Sequence, residues 1–255
     1  MTSSTKSRTD ACLITGATGG LGHALCAVFR EAGWFVVATG PETEAPDTLV
    51  RDAWVSADLA TLAADEEARA EFRAAVDAHL DGRPLLGLIN NAAQQTLGGA
   101  GDVSVAEVRY SFDVNVVAPF ALVQLFLPDL RAGFGSVLNI GSVHAQSTKS
   151  GFVAYAASKT ALHGLTRALA VDLGPDVRVN TLAPAATATP MLRAGFEDNP
   201  EGYAALADAH PMKRIAEPAE IAQTALFLIG PNSGFITGST LFADGGVLSR
   251  LHDPA

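Results

Sequence analysis

Short apolar runs rich in β-branched residues alternate along the chain with Ala/Leu-rich stretches whose apolar positions recur every three or four residues. The short runs predict strands over 11–15, 34–39, 53–57, 85–90, 135–140, 177–182 and 240–243, and the longer stretches predict helices over 22–32, 66–79, 105–132, 154–173 and 218–229. Strands that stay apolar without alternation are those buried on both faces, and a helix between successive strands is the unit that builds a parallel sheet. The expected fold is α/β: a single doubly wound, Rossmann-type parallel sheet of about seven strands with helices on both faces. Residues 1–10, Ser/Thr-rich with Lys6 and Arg8, read as a flexible start, and residues 11–255 as one domain with no linker or internal repeat.

One stretch breaks the rhythm. Residues 185–211 carry acids, Gly195, Gly202 and Pro200 in place of a clean period. Two readings stand for it, a lid over a site or a surface excursion with two short helices.

Composition narrows the partners. Asp and Glu outnumber Lys and Arg by 27 to 17, so the chain has no basic face to gather nucleic acid. No apolar run approaches the ~20 residues of a membrane span, and no signal-peptide core opens the chain, so a cytoplasmic protein is expected. Cys12 and Cys26 lack a second thiol or histidine at metal-ligand spacing and read as buried fillers; no metal site is expected.

The first strand runs into Thr15-Gly16-Ala17-Thr18-Gly19-Gly20-Leu21-Gly22, which opens a helix. Glycines there let the backbone turn tightly against a pyrophosphate, while the helix start supplies unpaired N–H groups and a positive dipole end. A tight turn without a ligand has the same composition, but the strand before and the helix after are the context the motif requires.

With Thr15, Gly16, Gly20 and Gly22 in the pattern T-G-x-x-x-G-x-G, the sequence resembles the short-chain dehydrogenase/reductase family, and the resemblance runs nearly end to end. Asn90-Asn91-Ala92-Ala93 is similar to its N-N-A-G, with Ala93 in the glycine place. Arg178-Val179-Asn180 with Pro184 is similar to its R-V-N-x-x-x-P-G, with Ala185 in the glycine place. Asp244-Gly245-Gly246 matches its closing D-G-G. The implied cofactor-binding set is Gly16, Thr18, Gly20, Leu21, Gly22, Asp58, Leu59, Asn91, Tyr155, Lys159 and Thr189, with Asp58 at the adenine and Thr189 at the nicotinamide carboxamide. The implied cofactor is NAD or NADP. The family reads the adenosine ribose with the residue ending the second strand, here Gly40, which offers neither an acid for hydroxyls nor an arginine for a phosphate; Glu42 just beyond favours NAD on charge.

Tyr155 and Lys159 stand four apart on the fourth predicted helix, and Ser142 precedes the tyrosine by thirteen residues, just after the fifth strand. As an isolated pair the tyrosine and lysine read as a core-edge ring beside a solvated cation. The resemblance puts Asn115, Ser142, Tyr155 and Lys159 on the catalytic positions, with Asn115 holding a water that links the lysine to solvent. The chemistry fits these residue types. Reducing a carbonyl needs hydride on carbon and a proton on oxygen, and a nicotinamide supplies only the hydride. A free phenol has a pKa near 10, and an ammonium about 5 Å away at an effective dielectric near 20 lowers it by about two units. Ser142 would steady the substrate oxygen.

His144 reads at most as a substrate contact. His210 and the acids Glu197, Asp198, Glu201 and Asp208 read as a solvated lid surface, and Phe152, Met191, Leu192 and Phe196 as a partly apolar pocket wall. The function expected is an NAD(P)-dependent oxidoreductase acting on a small secondary alcohol or ketone, with no nucleic acid or membrane partner. The resemblance implies a homotetramer or homodimer built on the long helices. A second class remains, a non-catalytic dinucleotide sensor whose output is a partner interaction.

Overall fold

The computed structural model describes residues 10–251, so the expected flexible start lies almost wholly outside the described residues. Strands β1 (Ala11–Thr15), β2 (Phe35–Gly40), β3 (Ala53–Ser56), β4 (Leu85–Asn90), β5 (Ser136–Ile140), β6 (Arg178–Pro184) and β7 (Thr240–Ala243) form one parallel sheet ordered β3-β2-β1-β4-β5-β6-β7. The chain starts in the middle, winds outward through β2 and β3, then returns to place β4 on the other side of β1. The strand order reverses there, and a crevice opens at the carboxyl ends of β1 and β4.

Two apolar cores follow from the two-residue period of the strands. In β1, Ala11 and Leu13 face one core with α3 (Glu66–Leu80), α5 (Ala118–Ala132) and α6 (Val153–Leu173). Cys12 and Ile14 face the other, with α1 (Gly20–Glu31) and α9 (Pro218–Ile229). The central strand β1 is thus apolar from Ala11 to Ile14 because both of its faces are covered. Cys12 and Cys26 are buried free thiols in the second core, and burial pushes Cys26 up to about 12.

Several expected boundaries move. The helix expected over 22–32 starts at Gly20, because Gly19 is already the extended N-cap. The sixth strand, expected over 177–182, continues to Pro184 by pairing with β7. A helix not expected at all, α2 (Leu59–Ala64), follows β3; Asp58 caps it by accepting from Ala60 N at 2.8 Å.

The helix expected over 105–132 is three pieces. It begins as α4 (Val105–Phe112) behind a Ser104/Glu107 capping box, widens into a π turn at Asp113–Val117, and resumes as α5. Pro119 has no N–H to give the carbonyl of Asn115 four residues back, and the hydrogen-bond register widens at that point. Contrary to the expectation from composition, this stretch is long and apolar enough to cross a membrane, by its 28-residue length and by the mean hydropathy, 1.4, of its most apolar window. Half of the most apolar window is buried, and Leu122, Val123, Phe126 and Leu130 pack it into the first core.

The irregular stretch 185–211 contains two short helices, α7 (Pro190–Ala194) and α8 (Pro200–Ala209), capped by Thr189 and Asn199. Its acids are exposed as expected, but His210 is not part of a solvated surface. It is 4 % exposed, with its Nδ1 2.8 Å from the carbonyl of Leu206, because the chain turns inward there to meet Gly245.

Candidate active site

Backbone shape builds the first half of the site. Gly16 takes φ +63°, and a Cβ on it would sit 2.6 Å from Ala92 Cα, so the turn after β1 and the end of β4 touch. Side chains lace the same junction. Thr15 Oγ1 accepts from the N–H groups of Asn91 at 3.0 Å and Ala92 at 3.1 Å, while Asn91 Nδ2 donates to the carbonyls of Thr15 at 2.9 Å and Gly16 at 3.0 Å. A Cβ on Gly22 would collide with the carbonyl of Gly16, so α1 lies directly on the turn. Ala93 and Ala185, which stand in glycine places, need no glycine, because neither takes a positive φ.

A cleft of about 440 Å³ runs along this junction. Gly16, Thr18, Gly20, Leu21, Gly22, Asp58, Leu59, Asn91 and Thr189 all line it, nine of the eleven residues the resemblance assigned to a cofactor. At its centre the first turn of α1 has no side-chain cap on Gly19, which leaves its N–H groups aimed outward with the positive end of the helix dipole. Beside them the buried Thr39 Oγ1 has no partner. An elongated groove with an uncapped helix start and an orphaned hydroxyl fits a dinucleotide with its pyrophosphate on α1. Two assigned side chains are already engaged: Asp58 caps α2, and Thr189 Oγ1 accepts from Leu192 N at 3.2 Å.

Side chains build the second half, and it does not line that cleft. Ser142 follows β5 in extended backbone, 6 % exposed, and accepts from His144 N at 3.2 Å. Tyr155, in the first turn of α6, stands beside it. Burial raises the phenol above its ordinary value, and the Ser142 hydroxyl pulls it back down. Lys159, one turn on, is 1 % exposed rather than solvated; its Nζ donates to the carbonyl of Ile140 at 2.7 Å and lies 5.8 Å from the Tyr155 ring centre. Burial pushes this ammonium down to about 8. Desolvation is the larger influence on the phenol here, and the ammonium donates to the β5 carbonyl.

Asn115 is engaged as well. It sits in the π turn, and its side chain clamps protein: Oδ1 accepts from Gln94 N at 2.7 Å, while Nδ2 donates to the Gln94 carbonyl and Ser158 Oγ, each at 2.9 Å. The amide thus ties the loop after β4 to α6 next to Lys159. Ser158 was not singled out from sequence; only contact across elements shows it. The same holds for a buried polar chain beneath the site, in which Asn90 donates to Asn139 at 2.8 Å, Asn139 to Thr166 at 2.9 Å, and Thr166 meets Thr181 at 2.7 Å.

Over Tyr155 stand two rings. His144 and Phe152 stack in parallel with centres 4.3 Å apart, and each meets Tyr155 edge-on, at 5.8 Å and 6.2 Å. Burial, and then Lys149, lower the His144 imidazole, which keeps it neutral at pH 7, with Nδ1 2.9 Å from Thr148 Oγ1. Among the described residues no cluster of three or more His, Cys, Asp or Glu could hold a metal ion.

The chain is similar along most of its length to known proteins. A family profile described as Enoyl-(Acyl carrier protein) reductase matches residues 16–248. The chain is 34% identical to L-xylulose reductase of Mus musculus over 93% of this chain and 96% of that one. It is 35% identical to galactitol 2-dehydrogenase (L-tagatose-forming) of Cereibacter sphaeroides over 91% and 92%. Among solved structures it is similar to ligand-free aldohexose dehydrogenase of Thermoplasma acidophilum, with a TM-score of 0.86, 27% identity and 98% of each chain covered.

Proposed function

The chain belongs to the short-chain dehydrogenase/reductase family, oxidoreductases that act on hydroxyl and carbonyl groups, and from that premise we propose that it moves a hydride between a nicotinamide dinucleotide and a secondary alcohol or ketone of a small molecule, with Tyr155 as general acid/base. The observation that carries the reading is the corner formed by buried Ser142 and Lys159 with half-buried Tyr155 between them, beyond the dinucleotide cleft.

The glycine turn and the start of α1 would hold the pyrophosphate, Asp58 and Leu59 would flank the adenine, and Thr189 would meet the carboxamide. The bound nicotinamide supplies or accepts the hydride. Tyr155 gives the proton to the carbonyl oxygen in reduction and takes it in oxidation. Ser142 donates to the same oxygen and holds the charge that develops there. Lys159 keeps its proton at pH 7 with a pKa of about 8, and its positive charge steadies the phenolate that remains after transfer. With the phenol raised and the ammonium intact, both protons are in place for carbonyl reduction at neutral pH; oxidation gains on the alkaline side. The clamp of Asn115 on Gln94 and Ser158 fixes the spacing between the two halves.

On charge, the cofactor is NAD, since no Lys or Arg lines the cleft. Assembly through the long helices is supported by exposed apolar side chains along them: Val105, Tyr110, Val117 and Phe120.

The named activities of the relatives make polyols, sugars and their ketoses the first substrates to try. A screen of these with either cofactor, read by absorbance of the reduced nicotinamide, should find turnover. Dinucleotide binding without turnover on any secondary alcohol or ketone would instead support the sensor reading.

A further inference from the structure

Three neighbouring strands carry a polar side chain at one level of the sheet. Asn90 of β4 stands opposite Asn139 of β5, and Asn139 opposite Thr181 of β6. All three are buried, where an amide or hydroxyl without a partner is costly. Their bonds converge on α6. Asn90 Nδ2 donates to Asn139 Oδ1 at 2.8 Å, Asn139 Nδ2 donates to Thr166 Oγ1 at 2.9 Å, and Thr181 Oγ1 lies 2.7 Å from the same hydroxyl. Thr166 Oγ1 in turn donates to the carbonyl of Leu162 at 3.0 Å. A hydroxyl has one proton to give and two lone pairs to accept with, so Thr181 is the donor of its contact and the hydroxyl of Thr166 is saturated.

This row lies directly behind the corner that holds Ser142, Tyr155 and Lys159. Ile140, whose carbonyl accepts from Lys159, follows Asn139 in β5, and Ser142 stands two residues further on. Lys159 and Thr166 are about two turns apart on α6 and share the face toward the sheet. Among the described residues, the side-chain hydrogen bonds from α6 to the strands are those of these two residues. Leu169, Ala170 and Leu173 add apolar contact in the first core. Apolar burial is non-directional, whereas a hydrogen bond fixes distance and angle.

We propose that Thr166 is a positioning residue: by accepting from Asn139 it sets where α6 lies along β5, and so holds the Lys159 ammonium at the Ile140 carbonyl and Tyr155 beside Ser142. Its part in turnover rests on the hydride-transfer reading of the site. Its part in placing Lys159 does not, and can be read without a substrate.

The chain has four lysines, Lys6, Lys149, Lys159 and Lys213, so carbon-13 NMR of protein labelled at lysine Cε can follow each through a pH titration. Wild type is expected to show one lysine titrating at about 8. In Thr166→Val, which keeps the branched shape and deletes the hydroxyl, that midpoint should move by at least about half a unit. The kcat of the variant on a sugar or polyol found by the screen should fall about ten-fold, with NADH affinity unchanged. Thr166→Ser, which restores the hydroxyl, should recover both. Thr181→Val is the control, since it removes a hydroxyl of the same row and leaves the bond from Asn139 to Thr166 in place; its midpoint and kcat should stay at the wild-type values even if it melts lower. A midpoint unmoved in Thr166→Val, or moved equally in Thr181→Val, would overturn the proposal. Should Thr166→Val not fold, Thr166→Cys, whose sulfur is a weak acceptor, is judged by the same criteria. A screen without turnover would bring down the hydride-transfer reading, while the lysine titration still decides the role of Thr166.

Discussion

The two halves of the site are made from different materials. At the nucleotide half the groups facing the cleft are mostly backbone, and side chains such as Thr15, Asn91 and Asp58 hold the protein in shape. At the half proposed to be catalytic the groups are side chains, a phenol raised by burial and an ammonium pushed down to about 8. Shape can be carried by glycines that let backbones touch. Proton transfer needs ionisable groups in a dry corner, and burial of such groups is unfavourable unless they are paired or used.

If that division is right, the halves should fail separately. Tyr155→Phe should lower turnover by about 10²- to 10⁴-fold, the usual contribution of a positioned acid/base. Its NADH affinity should stay at the wild-type value, since the phenol does not line the cleft. Steady-state kinetics beside a binding titration checks both; substantial remaining turnover would remove Tyr155 from the chemistry.

Gly22→Ala should do the reverse and couple binding to stability. The added methyl meets the Gly16 carbonyl and Ala17 backbone, neither of which can swing aside. Overpacking of this kind costs about 1–3 kcal/mol and should also weaken NADH by more than about ten-fold. A variant with wild-type melting temperature and affinity would show that the turn is not the rigid device described.

The smallest effect concerns acid stability beneath the catalytic half. His163, on α6 one turn beyond Lys159, is 7 % exposed, with an unpartnered Nε2. Burial first, then Lys159 and Arg167, push it down to about 4. The folded protein therefore holds it neutral while the unfolded chain protonates it near 6.5, so its contribution to stability is intact above 6.5 and is lost as pH falls toward 4. Urea melts across that range should show a loss on the order of 2 kcal/mol that His163→Gln reduces. An equal loss in the variant would assign the acid sensitivity to other groups.

What the sequence made legible follows the same division. The seven strands and the glycine turn stand out because apolar runs and glycine spacing are local properties, and nine of the eleven assigned cofactor residues do line the cleft. Ser142, Tyr155 and Lys159 were found through the family resemblance, and the structure gathers them in one corner. Their ionisation was not legible, because the burial of Lys159 and its bond to Ile140 depend on α6 packing against β5. The π turn at Asn115 and its bonds to Gln94 and Ser158 were hidden for the same reason. Helix α2 was missed because Asp58 read as a ligand contact when it is also an N-cap, and His210 read as solvated because its sequence neighbours are acidic.

The most direct measurement is calorimetric titration of the purified chain with NADH and, separately, NADPH. Saturable binding of at least one of them at micromolar concentrations, one nucleotide per chain, is the expected result. No binding of either at millimolar concentrations would contradict the assignment of the glycine-lined cleft, and with it the oxidoreductase built around Tyr155.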